Sequence, residues 1–294
     1  MAAGLGGLDV IRKARPGDEA AIDAFLARHA DTSMFLRSNL LEYGLARSAA
    51  SRATTYWLSE DASGIRAVFG RSNGGFVMMQ AADATDADWI AFRDSMTGQS
   101  ILGITGDAQQ VATGRAFLGL DGCAYALDDV EPLYCLSLDA LILPEGPGHL
   151  RAPVEADRAL LEDWHRDYVT ELRMSTPARV AAEAEERAER SILAGQTRLL
   201  IHDDRPVAMT AFNARLPDMV QIGAVYAPAA LRSNGYARRA VALHLAEARA
   251  EGVQEAVLFA SSAPACRAYE AIGFARVGAY HLAILKEPFT VGEA

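Results

Sequence analysis

Cysteine is scarce in this chain and never spaced for metal binding or redox work. The 294 residues hold three, Cys123, Cys135 and Cys266, and no Cys-x-x-Cys. Such an odd, sparse set argues against a disulfide framework and a thiolate metal site, and for reduced thiols in a cytoplasm. No metal is expected. Long apolar runs are missing as well. No segment reaches the roughly 18 unbroken apolar residues of a membrane span, so a membrane partner is not expected. Residues 1–7 lack a basic stretch followed by an apolar one, and a secretory signal is not expected either. Positive charge is not in surplus. With 38 acidic against 28 basic side chains the formal net charge is -10. That balance disfavours nucleic acid as a partner, because a phosphate backbone needs a broad basic surface.

Apolar material is plentiful, at 51% of residues, with 22% charged. A chain of this length and composition suits two soluble globular domains with real cores. An internal repeat supports that division. Residues 11–25 have a counterpart in residues 150–164: Arg12 matches Arg151, Asp18 matches Asp157, Ala20 matches Ala159, Ile22 matches Leu161 and Phe25 matches Trp164. Each copy reads as a short strand, a capping aspartate and an amphipathic helix. Both halves then continue alike, with helices, three strands, a helix, a strand, a short helix and a final strand. The expectation is an α/β protein of two domains, residues 1–140 and 141–294, with Pro144-Glu145-Gly146-Pro147-Gly148 as the linker.

One stretch reverses the local charge. Between residues 228 and 250, Arg232, Arg238, Arg239 and Arg249 oppose only Glu247. Here a glycine-centred turn follows an apolar strand pattern and opens an alanine-rich helix, which aims backbone N–H groups and the positive end of a helix dipole at one spot. An anionic ligand is implied. The turn has neither Gly-x-Gly-x-x-Gly nor Gly-Lys-Ser/Thr, so a Rossmann or P-loop nucleotide site is disfavoured. In the helix, Ala237, Ala240, Val241, His244, Leu245 and Ala248 form one stripe, and His244 on it is expected to be packed rather than catalytic.

The motifs extend further in a fixed order. Val225-Tyr226-Ala227-Pro228 ends the strand, Arg232-Ser233-Asn234-Gly235-Tyr236-Ala237 opens the helix, and Ser262-Ala263-Pro264-Ala265, Tyr269 and Gly273-Phe274 follow. Over about residues 220–280 this series resembles the GNAT superfamily of acyl-CoA-dependent N-acyltransferases, and the duplication makes the chain similar to a tandem GNAT protein. The resemblance implies two GNAT-like α+β domains, each a mixed, mostly antiparallel twisted sheet flanked by helices. It implies acetyl-CoA, or a related acyl-CoA, as donor, and a small-molecule or peptide amine as acceptor. The amides of Ser233, Asn234, Gly235, Tyr236 and Ala237 would chelate the coenzyme pyrophosphate, with Arg232 and Arg238 adding charge. Backbone groups of Val225 and Tyr226 would align the pantetheine, the N–H of Val225 would polarise the thioester carbonyl, and Tyr269 would protonate the leaving thiolate.

Two departures from the family pattern stand out. Ser233 replaces a common glycine, which is tolerable if its φ stays negative. Ser262 replaces a common asparagine, leaving either a hydroxyl contact to the coenzyme or a simple turn cap. No general base is evident: Asp167 and Glu171, at i,i+4 on a helix, are either distant bases or a solvated edge. Cys266 is expected to be a free, packed thiol, and Trp57, Trp89 and Trp164 core anchors. At the equivalent place, residues 80–88, the first half has no Arg-x-x-Gly; Asp83, Asp86 and Asp88 stand there instead and would repel a pyrophosphate. One working site is therefore expected, in the second half. The rival expectation is an acyl-CoA sensor or scaffold without turnover.

Overall fold

The computed structural model describes residues 11–175 and 177–292; the reading of residues 1–7 lies outside them. The chain forms two compact units. One holds the residues up to Val130 together with those from Tyr280 onward, the other Glu131–Ala279.

The first half runs through β1 (Arg12–Lys13), α1 (Glu19–Ala27), α2 (Ala30–Tyr43), β2 (Thr54–Asp61), β3 (Gly64–Ser72), β4 (Phe76–Gln80), α3 (Asp86–Ser95), β5 (Ser100–Asp107), α4 (Ala108–Leu118) and β6 (Tyr125–Ser137). The second repeats this order with β7 (His149–Arg151), α5 (Arg158–Glu171), α6 (Val180–Leu193), β8 (Thr197–His202), β9 (Arg205–Arg215), β10 (Met219–Tyr226), α7 (Tyr236–Ala250), β11 (Glu255–Phe259), α8 (Ala263–Glu270) and β12 (Ala275–Thr290). Strand order is β1-β2-β3-β4-β5-β12 in the first unit and β6-β11-β10-β9-β8-β7 in the second. Within these orders only β4 with β5 and β10 with β11 are parallel. Mixed, mostly antiparallel sheets flanked by helices are thus present in both units.

The units do not coincide with the sequence halves at 1–140 and 141–294. Residues 133–137 of β6 pair with β11, whereas Tyr280, His281, Leu282, Ala283 and Ile284 of β12 pair with β5. Each long strand begins in one unit and ends in the other. Local pattern cannot reveal this, because a strand's periodicity is silent about its partner.

The repeated Arg–Asp pair has a structural purpose. Arg12 donates to both Asp18 oxygens at 2.7 and 3.2 Å, and Arg151 to both Asp157 oxygens at 2.6 and 2.8 Å. Asp18 also accepts the Arg15 N–H, and Asp157 the Val154 N–H, each at 2.8 Å. Neither carboxylate caps helix amides with its side chain, which corrects the expected role: each ties the first strand to the turn before its helix. The arginines hold both carboxyls below the usual carboxylate range.

Cores follow the helical and strand periods. In α7 the small buried face of Ala240, Val241, Leu245 and Ala248 lets the helix sit close on its sheet. In the first unit Trp57 and Trp89 are anchors, edge-on to Phe92 at 5.5 Å and to Phe69 at 4.9 Å. Residues 144–148 are fastened, because Arg239 donates to the Pro144 carbonyl at 2.5 Å and the Gly148 carbonyl at 3.4 Å.

Candidate active site

In the second unit β10 pairs with β11 only through Met219, Val220 and Gln221. Beyond Gln221 the two strands part. Two register shifts between β10 and β9 drive the divergence. The first leaves Asn213 unpaired on β9. The second places an extra residue on β10 between Gly223 and Tyr226, where Ala224 takes φ 47. Such bulges bend a strand and sharpen its twist. A Cβ at Gly223 would lie 1.8 Å from the Asn213 side chain, so any larger residue there would displace that side chain. The outcome is a wedge whose β10 wall is the backbone of Gly223, Ala224, Val225 and Tyr226, the arrangement an extended ligand can join as an added strand.

The chain then turns through Ala229–Leu231 into α7. Ser233 at φ 66 and Gly235 at φ 76 are both left-handed and flank Asn234. Successive amides around such residues form a concave anion nest. Among the described residues, the amides of Ser233, Asn234 and Gly235 donate to no group of the chain, and the first satisfied helix amide is Arg239, bonded to the Gly235 carbonyl at 2.9 Å. The Asn234 side chain braces the turn through the Leu231 and Arg232 carbonyls. The guanidinium of Arg238 lies 3.5 Å from where a Gly235 Cβ would stand, and its Nε is buried without a partner. A buried donor left unmade costs about 1–3 kcal/mol, so an acceptor beside Arg238 would be favourable. Ser233 departs from the negative φ its side chain prefers; the nest geometry overrides that preference.

Arg232 does not reach into the nest. It donates to both Glu171 oxygens at 2.7 and 2.8 Å and to the Ala227 carbonyl at 3.0 Å, with its guanidinium 5.7 Å from the Tyr226 ring centre. The Tyr226 hydroxyl donates to Asp167 at 2.9 Å. Burial, and then that carboxylate, push the Tyr226 phenol up to about 12. Asp167 and Glu171 are therefore the bolts that fix the end of α5 to β10 and the turn, rather than a bare solvated edge.

Tyr269 lies on α8, buried and edge-on to Phe274 at 6.0 Å. Its hydroxyl makes no hydrogen bond among the described residues. Burial, with Tyr168, Glu131 and Cys266 nearby, keeps the phenol protonated far above neutral pH. Tyr168 was not singled out in the sequence; its place one turn after Trp164 on the buried face of α5 is the signal that could have found it, and the Ala224 N–H faces its oxygen. Glu131 went unread because β6 belongs to the other half of the sequence. Ser262 caps α8 by accepting the Ala265 N–H at 3.4 Å. Cys266 is a partly buried free thiol. His244 stacks on Phe212 at 3.8 Å, and burial pushes its pKa down to about 3. It is a neutral packing residue.

Residues 158–274 match the sequence model of the acetyltransferase (GNAT) family. That match lies wholly in the second half of the sequence. Comparison with curated proteins gives no match. Among solved structures, a Drosophila protein is similar over 95% of this chain and 99% of its own at 11% identity and a TM-score of 0.61. A tandem GNAT protein from the clavulanic acid biosynthesis pathway is similar over 97% and 99% at 12% identity and a TM-score of 0.54. A GCN5-related N-acetyltransferase from Kribbella flavida is similar over 92% and 96% at 14% identity and a TM-score of 0.54. At these identities the likeness is one of fold, and it extends over both halves of this chain.

The first unit has the same strand junction but not the same opening. β4 pairs with β5 only through Phe76, Val77 and Met78. Past it, the Ala81 N–H donates to the Gln110 side chain at 2.6 Å, and the Gln80 side chain accepts the Thr32 and Ser33 hydroxyls at 2.7 and 3.1 Å. Side chains of the protein fill the positions a strand-like ligand would need. The small cleft beside them is lined by Ala82, Trp89, Asp107, Gln109, Gln110 and Thr113, among others, with an acidic side chain and no basic one. Among the described residues no cluster suits a metal ion, and no helix is long and apolar enough to cross a membrane.

Proposed function

We propose that this protein is an acyl-CoA-dependent N-acyltransferase, with acetyl-CoA as donor and a primary amine of a small molecule or peptide as acceptor. The second unit does the work. The observation that carries this reading is the splay of β10 from β11 leading straight into a turn of open amides beside the unpartnered Arg238. A pyrophosphate fits that nest, and it supplies the acceptor the buried Nε lacks. Sparse cysteines, none of them in a disulfide, favour action in the cytoplasm.

The donor's thioester brings an acyl group already activated for attack. The amides of Ser233, Asn234, Gly235, Tyr236 and Ala237, with Arg238, would hold the phosphates, and backbone groups of Val225 and Tyr226 would align the pantetheine arm. The Val225 N–H would polarise the carbonyl, worth several kcal/mol when aimed at developing charge. An N–C bond forms as the C–S bond breaks, the amine yields a proton to solvent, and Tyr269 holds the proton the sulfur takes. The first unit, its equivalent gap occupied by Gln110, would not bind coenzyme.

Release of free thiol from acetyl-CoA, measured across a panel of amines, tests this. Tyr269→Phe should retain coenzyme affinity and lose about a hundredfold in turnover; unchanged turnover removes Tyr269 from the chemistry. A second reading, an acyl-CoA sensor without turnover, is favoured by one observation: Asp167 and Glu171, the carboxylates nearest the wedge on α5, are both already engaged. Amine-dependent thiol release disposes of it.

A further inference from the structure

Of the four arginines between residues 228 and 250, Arg239 and Arg249 are spent on backbone carbonyls, Arg238 has no ion pair among the described residues, and Arg232 is matched to a carboxylate. We propose that Glu171 is an internal counter-ion for the coenzyme site. It occupies Arg232 while the site is empty and yields it to a coenzyme phosphate, releasing the last turn of α5. This rests on the acyl-CoA reading above.

The geometry favours exchange. A guanidinium facing two carboxylate oxygens at 2.7 and 2.8 Å offers the same fork to two phosphate oxygens. Arg232 immediately precedes the open amides of Ser233, Asn234 and Gly235, so a pyrophosphate seated on them comes within a side chain's swing of it. Both partners are close to half exposed, at 45% and 47%, so the pair is weakly held and water can cover Glu171 once it leaves. The phosphate meanwhile gains the nest amides and Arg238, none of which Glu171 touches. The Ala227 carbonyl, bonded to Arg232 Nε at 3.0 Å, keeps the guanidinium in place during the exchange.

The consequence reaches further along α5. Trp164, Tyr168 and Glu171 fall on one face of α5 at spacings of four and three. Trp164 contacts Tyr226 and Tyr168 neighbours Tyr269. Freeing Glu171 loosens the turn that follows Tyr168, while the Asp167 to Tyr226 bond still holds the helix. Donor binding thereby alters the surroundings of Tyr168 and Tyr269.

Calorimetric titration with coenzyme A, using the full chain, tests the exchange. Glu171→Gln should bind about two- to fivefold more tightly than the wild type, the range expected from removing one exposed competing charge. Arg232→Gln should bind several-fold more weakly, and the double variant should match Arg232→Gln alone, since Glu171 acts only through Arg232. Hydrogen exchange gives an independent readout: amides of residues 169–172 should exchange faster with coenzyme bound, and already fast in Glu171→Gln without it. Unchanged or weaker binding by Glu171→Gln, or a gain that persists without Arg232, overturns the proposal. If the wild type itself binds no coenzyme A, the acyl-CoA reading falls, and the exchange with it.

Discussion

At Ser233 a side-chain-bearing residue sits at φ 66, a left-handed geometry that costs about 1–2 kcal/mol. The strain is tolerated where amides must converge on one point, as expected of a functional turn. Asn234 and Gly235 lie on the turn after β10, Arg238 in the first turn of α7 and Tyr269 on α8. The Arg232 side chain goes to Glu171, a pairing the motif does not show because Glu171 arrives from another helix. His244 supports a prediction about pH. Its folded pKa of about 3 lies below the ordinary 6.5, so as pH falls through 6.5 the unfolded chain takes up a proton that the native one refuses. Stability should therefore decline from pH 6.5 down to about 3 and then level off. At about 1.4 kcal/mol per pKa unit the loss amounts to several kcal/mol, with His165, pushed to about 4 by burial, adding to it. Urea unfolding at pH 7 and pH 4.5 should show a smaller acid loss for His244→Phe than for the wild type; equal losses would refute the assignment.

The helices were visible in the sequence as apolar stripes and the strands as short β-rich runs, so element order was readable in both halves. The splay was implied by the family resemblance and not by the strand pattern itself. It arises from two register shifts against β9, and a bulge is a property of a pair of strands rather than of either sequence. The short helix α8, which carries Tyr269, depends on its start: Ser262 accepts the Ala265 N–H and Pro264 follows in the first turn. Ser262→Ala should cost about 1 kcal/mol, the usual value of such a cap, read as a lower urea midpoint with coenzyme affinity unchanged. A large loss of affinity with unaltered stability would instead make the hydroxyl a coenzyme contact.

Across the whole molecule, the long strands β6 and β12 each serve both units, so the chain cannot be cut at its linker without removing a strand from a sheet. A fragment of residues 141–294 lacks the part of β6 that pairs with β11, and keeps the part of β12 that pairs with β5. Its exposed strand edge is a template for aggregation. Expressed alone, it should fail to give a cooperative unfolding transition or should aggregate on gel filtration; a soluble fragment with the urea midpoint of the full chain would contradict this. The duplication was readable from Arg12 and Arg151 onward, but the exchanged strands were not, since pairing partners so far apart in sequence leave no local trace. Retention of the open nest in only one of two related units predicts a single coenzyme site. The most direct measurement is the stoichiometry of acetyl-CoA binding by calorimetry, for the wild type and for Arg238→Glu. One coenzyme per chain, with affinity lowered tenfold or more by Arg238→Glu, is the predicted result. Two coenzymes per chain, none, or binding indifferent to Arg238 would contradict it.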